Sequence, residues 1–364
     1  MSNRKTKVLV VDDSAIVRKM LTDALAGEPD IEVVGSAPDP FIARDKILAL
    51  QPDILTLDIE MPRMDGLSFL RRLMAHRPMP VIIVSSLAQS GSSASLEALQ
   101  AGAIDVIPKP GGPYSVGQVI DKLKERIRAL RAGPAIRYQK PATVAAPPPP
   151  SSPQRTYRGN ALIAIGASTG GTQAIEGLLT RMPADLPPIV IVQHMPASFT
   201  KLFAERLDGI CPMHVVESQG GEILQRGTVY IAPGDYHLLL ERQGVQLKTV
   251  LRQGPMVCHQ RPAVDVLFNS VAKLQGIPVV AALLTGMGSD GADGMVALRN
   301  AGAETIAEAE DSCVVFGMPK EAIARGGAIH VASLLKIPTL IFQCLENIVS
   351  QRKSPTGADT RVTV

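Results

Sequence analysis

Five polar side chains in the first third of the chain directly follow or end apolar segments: Asp12, Asp13, Asp58, Ser85 and Lys109. Three neighbouring carboxylates repel one another unless a divalent cation and a lysine neutralise them, and Mg²⁺ suits an all-oxygen, partly hydrated site. A carboxylate can attack a phosphoryl group in line while a metal, a lysine and a hydroxyl stabilise the equatorial oxygens. The pattern predicts a Mg²⁺-dependent phosphoacceptor at Asp58.

A second candidate site begins in the sequence Gly166-Ala-Ser168-Thr-Gly170. This GxSxG pattern presents a serine at a strand-to-helix corner, and the helix N-terminus that follows favours negative charge developing there. The alternative is a glycine loop that cradles a nucleotide phosphate. The only acidic residue near the second strand that could act as a ribose ligand is Asp185, on the approach loop, so the nucleotide interpretation is the weaker one.

Two later residues could complete a hydrolytic site with Ser168. His194 follows the apolar segment 189–192, and Asp290 follows the segment 279–284. Nucleophile, base and orienting acid would then all lie at carboxyl ends of strands. The order Ser…His…Asp differs from the Ser…Asp…His order of α/β-hydrolases, so a different fold is expected.

Other residues compete for these roles, and the residues alone leave the triad open. His237 and His259 occur in turn-rich sequence and could line the cleft. The remaining alternatives are more typical of surface, strand-end, helix or turn positions: His76, His214, His330, Asp293 and Asp311.

The elements that must position these side chains alternate between strands and helices. Apolar segments at 8–11, 33–35, 54–57, 81–84 and 106–107, the stronger of them unbroken apolar runs, predict five parallel strands, with amphipathic helices between them and at 116–130. A doubly wound sheet of this kind binds ligands at its carboxyl edge. The second half repeats the alternation, with strands at 162–165, 189–192, 279–284 and 305–307 and helices at 172–182, 198–207, 262–274 and 291–301. Segments 229–232, 238–241 and 245–249 predict a small antiparallel excursion.

Length and composition favour two α/β domains. The chain has 364 residues, 46% hydrophobic and 20% charged, against roughly 100–200 residues for a typical domain. A proline-rich stretch separates the halves and predicts an extended tether. The predicted units are therefore 1–130, a linker at 131–158, a second domain at 159–350 and a flexible tail at 351–364.

Charge and cysteine usage exclude several functional classes. The linker carries five basic and no acidic side chains, whereas 159–350 carries 13 basic and 17 acidic ones, which argues against nucleic acid as a partner. The four cysteines form no CxxC or CxxH cluster, so a zinc site or disulfide framework is not expected. Neither a signal peptide nor a membrane-spanning run is predicted, which indicates a cytoplasmic protein without membrane insertion.

The first half resembles the receiver domains of bacterial response regulators, which have a flavodoxin-like fold. The matching motifs over residues 6–130 are VLVVDDS, LTLDIEMPRMDG, VIIVSS and IDVIPKP. The resemblance implies that a histidine kinase of the chemotaxis type phosphorylates Asp58. It further implies that Asp13, Asp58 and the backbone carbonyl of Glu60 hold Mg²⁺ with Asp12 in support, while Ser85 and Lys109 sense the phosphoryl group. Val106 stands where receivers often have a switch aromatic, so we expect coupling to use other contacts.

The second half is similar to the catalytic domain of the CheB family of chemotaxis methylesterases, a Rossmann-like domain. The motifs that carry the resemblance are IGASTGG, VQHM, YIAPGDYH, RPAVDVLF, LLTGMGSDGADG and FGMPKEA. It implies a cofactor-independent serine esterase in which Ser168 attacks, His194 transfers the proton, Asp290 orients the imidazole and the Met287 N–H binds the oxyanion.

The CheB resemblance also implies a substrate and a mode of control. The expected substrates are glutamate methyl esters, and also glutamines, on methyl-accepting chemoreceptors, so that the enzyme provides adaptation in chemotaxis. We expect the receiver to cover the triad until Asp58 is phosphorylated. The same chemistry on a protein other than a chemoreceptor, or a signalling adaptor without essential catalysis, is the alternative.

Overall fold

A computed structural model describes residues 4–86, 93–109, 115–132 and 161–353. Apart from 131–132 and 351–353, the predicted linker and tail lie outside these residues. None of the helices within the described ranges combines the length and the apolar character needed to cross a bilayer.

The first unit is a five-stranded parallel sheet with the strand order β2-β1-β3-β4-β5. Its strands are β1 (Thr6–Val11), β2 (Ile31–Ala37), β3 (Ile54–Leu57), β4 (Val81–Ser85) and β5 (Asp105–Pro108). The helices are α1 (Ala15–Ala26), α2 (Pro40–Leu50), α3 (Gly66–His76), α4 (Ser93–Gln100) and α5 (Val116–Ala132). The central strands β3 and β4 are buried throughout because helices cover both faces of the sheet, which is why their sequences are mostly apolar and do not alternate with polar residues.

Side-chain caps fix the starts of the first three helices. The Asp39 carboxylate accepts backbone N–H bonds at the start of α2, and the Asp65 carboxylate accepts one from Ser68 at 2.8 Å at the start of α3. The Ser14 hydroxyl does the same for α1. Such caps satisfy the first free N–H groups of a helix. They place the start of α1 directly after Asp12 and Asp13.

The second unit contains a seven-stranded sheet with the order β14-β13-β12-β6-β7-β9-β8, parallel at every pairing. Its strands are β6 (Leu162–Ala167), β7 (Ile189–Gln193), β8 (His214–Glu217), β9 (Thr228–Ile231), β12 (Val279–Leu283), β13 (Glu304–Glu308) and β14 (His330–Ala332). The helices are α6 (Gly171–Leu179), α7 (Ala197–Ile210), α8 (Val264–Ala272), α9 (Ala292–Asn300), α10 (Met318–Ala324) and α11 (Ile337–Lys353).

The predicted antiparallel excursion is confirmed but is smaller than expected. It consists of β10 (His237–Gln243) and β11 (Gln246–Arg252), which pair antiparallel. The assignment of segment 229–232 to this excursion is wrong, because β9 pairs in parallel with β7 and β8. A fully buried strand of four residues has the same apolar character in either orientation, so its sequence could not assign it to a sheet.

The two units pack directly on each other. Helix α4 of the first unit lies against α6 and α7 of the second. The side-chain amide of Gln173 in α6 donates to the carbonyl oxygen of Leu99 in α4 at 2.6 Å. On the other side of the interface, Val314 and Val315 of the second unit join the core cluster that contains the α5 side chains.

Candidate active site and phosphorylation site

Ser168, His194 and Asp290 follow three adjacent strands of the seven-stranded sheet. The strand order β12-β6-β7 places β6 in the middle, with the next strand in the chain, β7, on one side and the later strand β12 on the other. Ser168 follows β6 and its N–H donates to the Thr285 carbonyl after β12 at 3.0 Å, while the His194 N–H donates to the Ala167 carbonyl at 3.1 Å. All three residues therefore lie at one carboxyl edge, at a topological switch point.

His194 and Asp290 form a close pair. The imidazole Nε2 lies 2.7 Å from Asp290 Oδ2, and the two side chains are only 5% and 2% exposed. Asp290 also accepts backbone N–H bonds from Val264 to Oδ2 at 2.7 Å and from Asp265 to Oδ1 at 2.8 Å. Because both oxygens of Asp290 already accept backbone N–H groups, this side chain acts as an acceptor toward the imidazole. We therefore assign the donor role to Nε2, which leaves Nδ1 as the nitrogen that can accept a proton.

The Nδ1 atom of His194 is buried and has no hydrogen-bond partner. The Ser168 hydroxyl is thus not hydrogen bonded to it in this conformation, although the two residues follow paired positions of neighbouring strands. Catalytic hydrogen bonds are often long in the absence of substrate and tighten in the complex. The carboxylate holds Nε2 and so leaves Nδ1 for the serine.

Asp290 belongs to a reciprocal exchange of caps between two helices. Neither α8 nor α9 has a side-chain cap of its own, because Ala263 and Gly291 precede them. Asp290, just before α9, accepts the first N–H groups of α8; Asp265, in the first turn of α8, accepts the Gly294 N–H of α9 at 2.7 Å. Burial, assisted by the charge of Asp290, raises the pKa of Asp265 to about 6. Sequence reasoning missed Asp265, although its position in the RPAVDVLF motif was visible.

The loop after β12 approaches the serine closely. A Cβ atom on Gly286 would lie 2.8 Å from Ser168 Cβ and 2.3 Å from the sulfur of Met318, so only glycine fits there. The Gly286 N–H donates to the Val315 carbonyl at 3.0 Å, and its carbonyl accepts the Met318 N–H at 2.8 Å. These bonds fix the backbone that leads into Met287, the predicted oxyanion residue.

Polar atoms without partners converge on this edge. Besides His194 Nδ1, they are Thr169 Oγ1 and Gln193 Oε1, both in residues at most 5% exposed. The Gln193 amide also bridges the backbone of the two candidate catalytic residues, donating to Ser168 O at 2.9 Å and to His194 O at 3.2 Å. Unpartnered buried polar atoms are costly, so such a cluster indicates a site that receives a polar group. Gln193 was missed from sequence, where it stood beside His194.

The competing histidines are engaged elsewhere or exposed. The His237 ring lies 2.9 Å from the Pro255 carbonyl and 3.3 Å from the Ala263 N–H, so both nitrogens are used. His259 and His76 are exposed. His214 and His330 each begin a strand, and their rings lie 2.8 Å from Asp208 Oδ1 and 2.9 Å from Glu304 Oε2, respectively.

The five residues of the phosphoacceptor prediction surround one edge of the first sheet. Oxygens of Asp12, Asp13 and Asp58 all lie within 4.8 Å of one another. Lys109 Nζ lies 2.7 Å from Asp58 Oδ2 and 2.9 Å from Asp12 Oδ2. Burial raises the pKa of Asp12 and of Asp58, although Lys109 opposes this; hydrogen bonds to both carboxylates raise the pKa of Lys109 despite its own burial.

This oxygen cluster fits a divalent cation. Asp58 Oδ1 is buried without a hydrogen-bond partner, and Asp13 is exposed beside it. An all-oxygen donor set open to water is the kind that Mg²⁺ prefers. Ser85 is buried at the end of β4, and its carbonyl accepts the Lys109 N–H at 3.1 Å. Glu60 is exposed, and its carboxylate accepts the hydroxyl of Ser86.

The first unit covers the loops beside Ser168. Arg126 of α5 is 8% exposed; its Nε donates to Asp105 Oδ2 at 2.6 Å and its Nη1 lies 3.3 Å from the sulfur of Met287. A cleft of about 500 Å³ remains between α5 and the segment 315–317. Val106 lines a smaller gap together with Phe199 of α7. Position 106 therefore carries no aromatic side chain, and Arg126 is one of the α5 side chains that contact the catalytic loop.

Known proteins match both units. A model of the CheB methylesterase family matches residues 163–341, and a model of the response regulator receiver domain matches 8–121. The protein-glutamate methylesterase/protein-glutamine glutaminase 2 of Syntrophus aciditrophicus (strain SB) is 53% identical over 330 residues, which cover 91% of this chain and 96% of the relative. A protein of the same name, numbered 1, from Geobacter metallireducens is 49% identical over 95% of this chain and 98% of its own. The crystal structure of the Thermotoga maritima CheB methylesterase catalytic domain is 39% identical, covers 52% of this chain and 98% of its own, and superposes with a TM-score of 0.49.

Proposed function

This chain belongs to the CheB methylesterase family, and we propose that it hydrolyses glutamate methyl esters, and deamidates glutamines, on the cytoplasmic part of chemoreceptors. The observation that carries the proposal is the buried His194–Asp290 pair at the strand edge that also bears Ser168. A cytoplasmic site of action, and adaptation in chemotaxis as its outcome, follow from this substrate.

Ser168 acts as the nucleophile. As Oγ bonds to the carbonyl carbon of the ester, Nδ1 of His194 takes the hydroxyl proton, and Asp290 stabilises the resulting imidazolium through Nε2–H. A rotation of the serine side chain brings Oγ to the unpartnered Nδ1. The Met287 N–H, at a loop whose close approach depends on Gly286, donates to the oxyanion.

Collapse of the tetrahedral intermediate breaks the bond to the methoxy oxygen. The imidazolium returns its proton to that oxygen, methanol leaves, and Ser168 is acylated. Water then adds to the acyl carbon, giving its proton to Nδ1, and the released serine takes the proton back as free glutamate forms. A glutamine side chain presents the same carbonyl with ammonia as the leaving group, so the same residues deamidate it.

The N-terminal unit acts as the phosphorylated switch. We assign 1–130 to this receiver domain, 131–158 to a linker, 159–350 to the esterase domain and 351–364 to a tail. A histidine kinase donates a phosphoryl group to the carboxylate of Asp58, while Lys109 and Ser85 contact the phosphoryl oxygens. Asp12, Asp13, Asp58 and the Glu60 carbonyl would hold Mg²⁺, which neutralises charge on the phosphoryl group.

In the resting state the receiver limits access to Ser168. The support comes from α5, whose Arg126 contacts Met287 beside the serine. Phosphorylation of Asp58 adds negative charge beside Lys109, the residue that follows β5, and we infer that it weakens this contact. Deleting residues 1–158 should therefore raise the basal esterase rate. A folded fragment with an unchanged or lower rate would contradict occlusion.

Methanol release from methylated receptor membranes tests the proposed activity. Wild-type protein should release methanol, faster with a small phosphodonor, and the variant Ser168→Ala should release none. Asp293→Asn is the matched control, because this exposed carboxylate lies three residues from Asp290 and forms a surface ion pair with Arg325. Esterase activity on a model ester without methanol release from receptors would instead indicate another protein substrate.

A further inference from the structure

One buried carboxyl group beside the catalytic loop has no part in the mechanism above. Glu308 ends β13, the strand next to β12, and its side chain is fully buried. Among the described residues no lysine, arginine or histidine forms an ion pair with it. Burial raises its pKa to about 7, even though hydrogen bonds from Thr285 and Ser312 oppose the shift. Burying a carboxyl group costs free energy unless the group is hydrogen-bonded, so the partners of Glu308 are informative.

The hydrogen bonds of Glu308 lead to the nucleophile through a single residue. Its Oε2 accepts the backbone N–H of Thr285 at 2.8 Å. The Thr285 carbonyl accepts the Ser168 N–H at 3.0 Å, and the Thr285 hydroxyl donates to the Thr169 carbonyl at 3.0 Å. Thr285 thus holds the backbone of the serine turn from two sides, and its own N–H is held by Glu308.

The same residue also fixes the far side of the loop. The Thr285 hydroxyl accepts the Val315 N–H at 2.9 Å, and the next residue, Gly286, donates to the Val315 carbonyl. Glu308 is in turn oriented by the Ser312 hydroxyl, which donates to its second oxygen at 2.9 Å. The other ionisable groups that face it are Asp311 and Cys313, both in the segment after β13.

We propose that Glu308 is a positioning residue for the esterase, which sets the Thr285–Met287 loop against Ser168 by accepting the Thr285 N–H. The inference rests on the proposed function of the Ser168 site. Misplacing a catalytic group by about 1 Å can cost about 100-fold in rate, so removing the acceptor should lower kcat and leave KM little changed. The acceptor, and not the negative charge, is what the loop requires.

The test compares variants of the full chain, in the presence of a phosphodonor, on methylated receptor membranes. Glu308→Leu removes the acceptor and should lower kcat about 10- to 100-fold at constant KM. Glu308→Gln keeps an acceptor oxygen and should restore kcat to within about threefold of wild type. Thr305→Val is the matched control: Thr305 is on the same strand, fully buried, and its hydroxyl donates to the Gly327 carbonyl at 2.7 Å, away from Thr285.

The outcomes separate this inference from the proposed function. A wild-type chain without esterase activity would overturn the proposed function. If the wild type is active and Glu308→Leu has the same kcat as Thr305→Val, the positioning role is overturned and the proposed function is not. If Glu308→Leu fails to fold, amide hydrogen exchange is measured on Glu308→Gln instead. Unchanged protection of the Thr285 N–H together with a retained kcat supports the positioning role. Faster exchange at Thr285 with an unchanged kcat refutes it.

Discussion

Replacing Asp290 by asparagine separates the charge of this side chain from its shape. Its two oxygens accept three hydrogen bonds, from His194 Nε2, the Val264 N–H and the Asp265 N–H, at 2.7, 2.7 and 2.8 Å. An amide has one acceptor oxygen and one donor group. If the asparagine oxygen takes the place of Oδ2, its NH₂ group takes the place of Oδ1 and faces the Asp265 N–H. In the opposite orientation the NH₂ group takes the place of Oδ2 and faces both the Val264 N–H and the imidazole.

The cost of Asp290→Asn follows from these orientations. In either one at least one buried N–H loses its acceptor, which costs about 1–3 kcal/mol, and the start of α8 loses a carboxylate worth about 0.5–1 kcal/mol. We therefore expect a destabilisation of about 2–3 kcal/mol. In the second orientation the imidazole must also accept at Nε2, which puts the proton on Nδ1 and removes the base. Loss of the orienting carboxylate in a serine triad costs about 10⁴-fold in kcat.

Urea unfolding and ester hydrolysis, measured on the same preparations, test both numbers. Asp293→Asn is the control, because its carboxylate is 70% exposed in the first turn of α9, three residues after Asp290, and its removal should change stability by less than about 0.5 kcal/mol. The loss of the Asp290 charge should also lower the pKa of Asp265, which that charge helps to raise. An Asp290→Asn variant as stable as the control, or one with a tenth of wild-type activity, would refute the reasoning.

Three further predictions concern the buried acid, the interface and the switch. Glu308 has a pKa of about 7 instead of 4.5, so its burial favours the protonated form and wild-type stability is lost as pH rises from 4.5 through 7. In urea unfolding, Glu308→Gln should match wild type near pH 4.5 and exceed it by about 3 kcal/mol at pH 8. Equal stability at pH 8 would contradict this. Arg126→Ala should raise the esterase rate without phosphodonor severalfold, because it removes the contact with Met287, whereas exposed Arg44→Ala should not; equal rates would exclude this contact from control. Asp58→Asn should abolish stimulation by a phosphodonor, and stimulation that persists would place the phosphoacceptor elsewhere.

Much of the architecture was predictable from the chain alone. The unbroken apolar runs and the helices between them predicted two parallel-sheet α/β units, and both are confirmed. The prediction that segment 229–232 belongs to the antiparallel excursion was wrong for a physical reason. A buried strand of four residues can pair with a parallel or an antiparallel neighbour equally well. Only the pairing of β9 with β7 and β8 assigns that strand.

For the candidate sites, the sequence determined residue types and their positions after strands. Because carboxyl ends of parallel strands share an edge, it predicted that Asp58 and Lys109 would meet, as would His194 and Asp290. Which imidazole nitrogen faces the carboxylate is set by the packing of α8, whose N-terminal N–H groups hold Asp290. That contact joins residues 26 positions apart, and no local pattern encodes it.

Glu308 and Arg126 show what only the tertiary structure decided. In sequence Glu308 is one of several acids near the end of an apolar strand, and Arg126 is one of several basic residues on an amphipathic helix. Their environments differ from those of their neighbours because of strand order and domain packing. The residues that bury a side chain and those that hydrogen bond to it belong to segments distant in sequence. The chemistry of the side chain depends on its burial and on these partners.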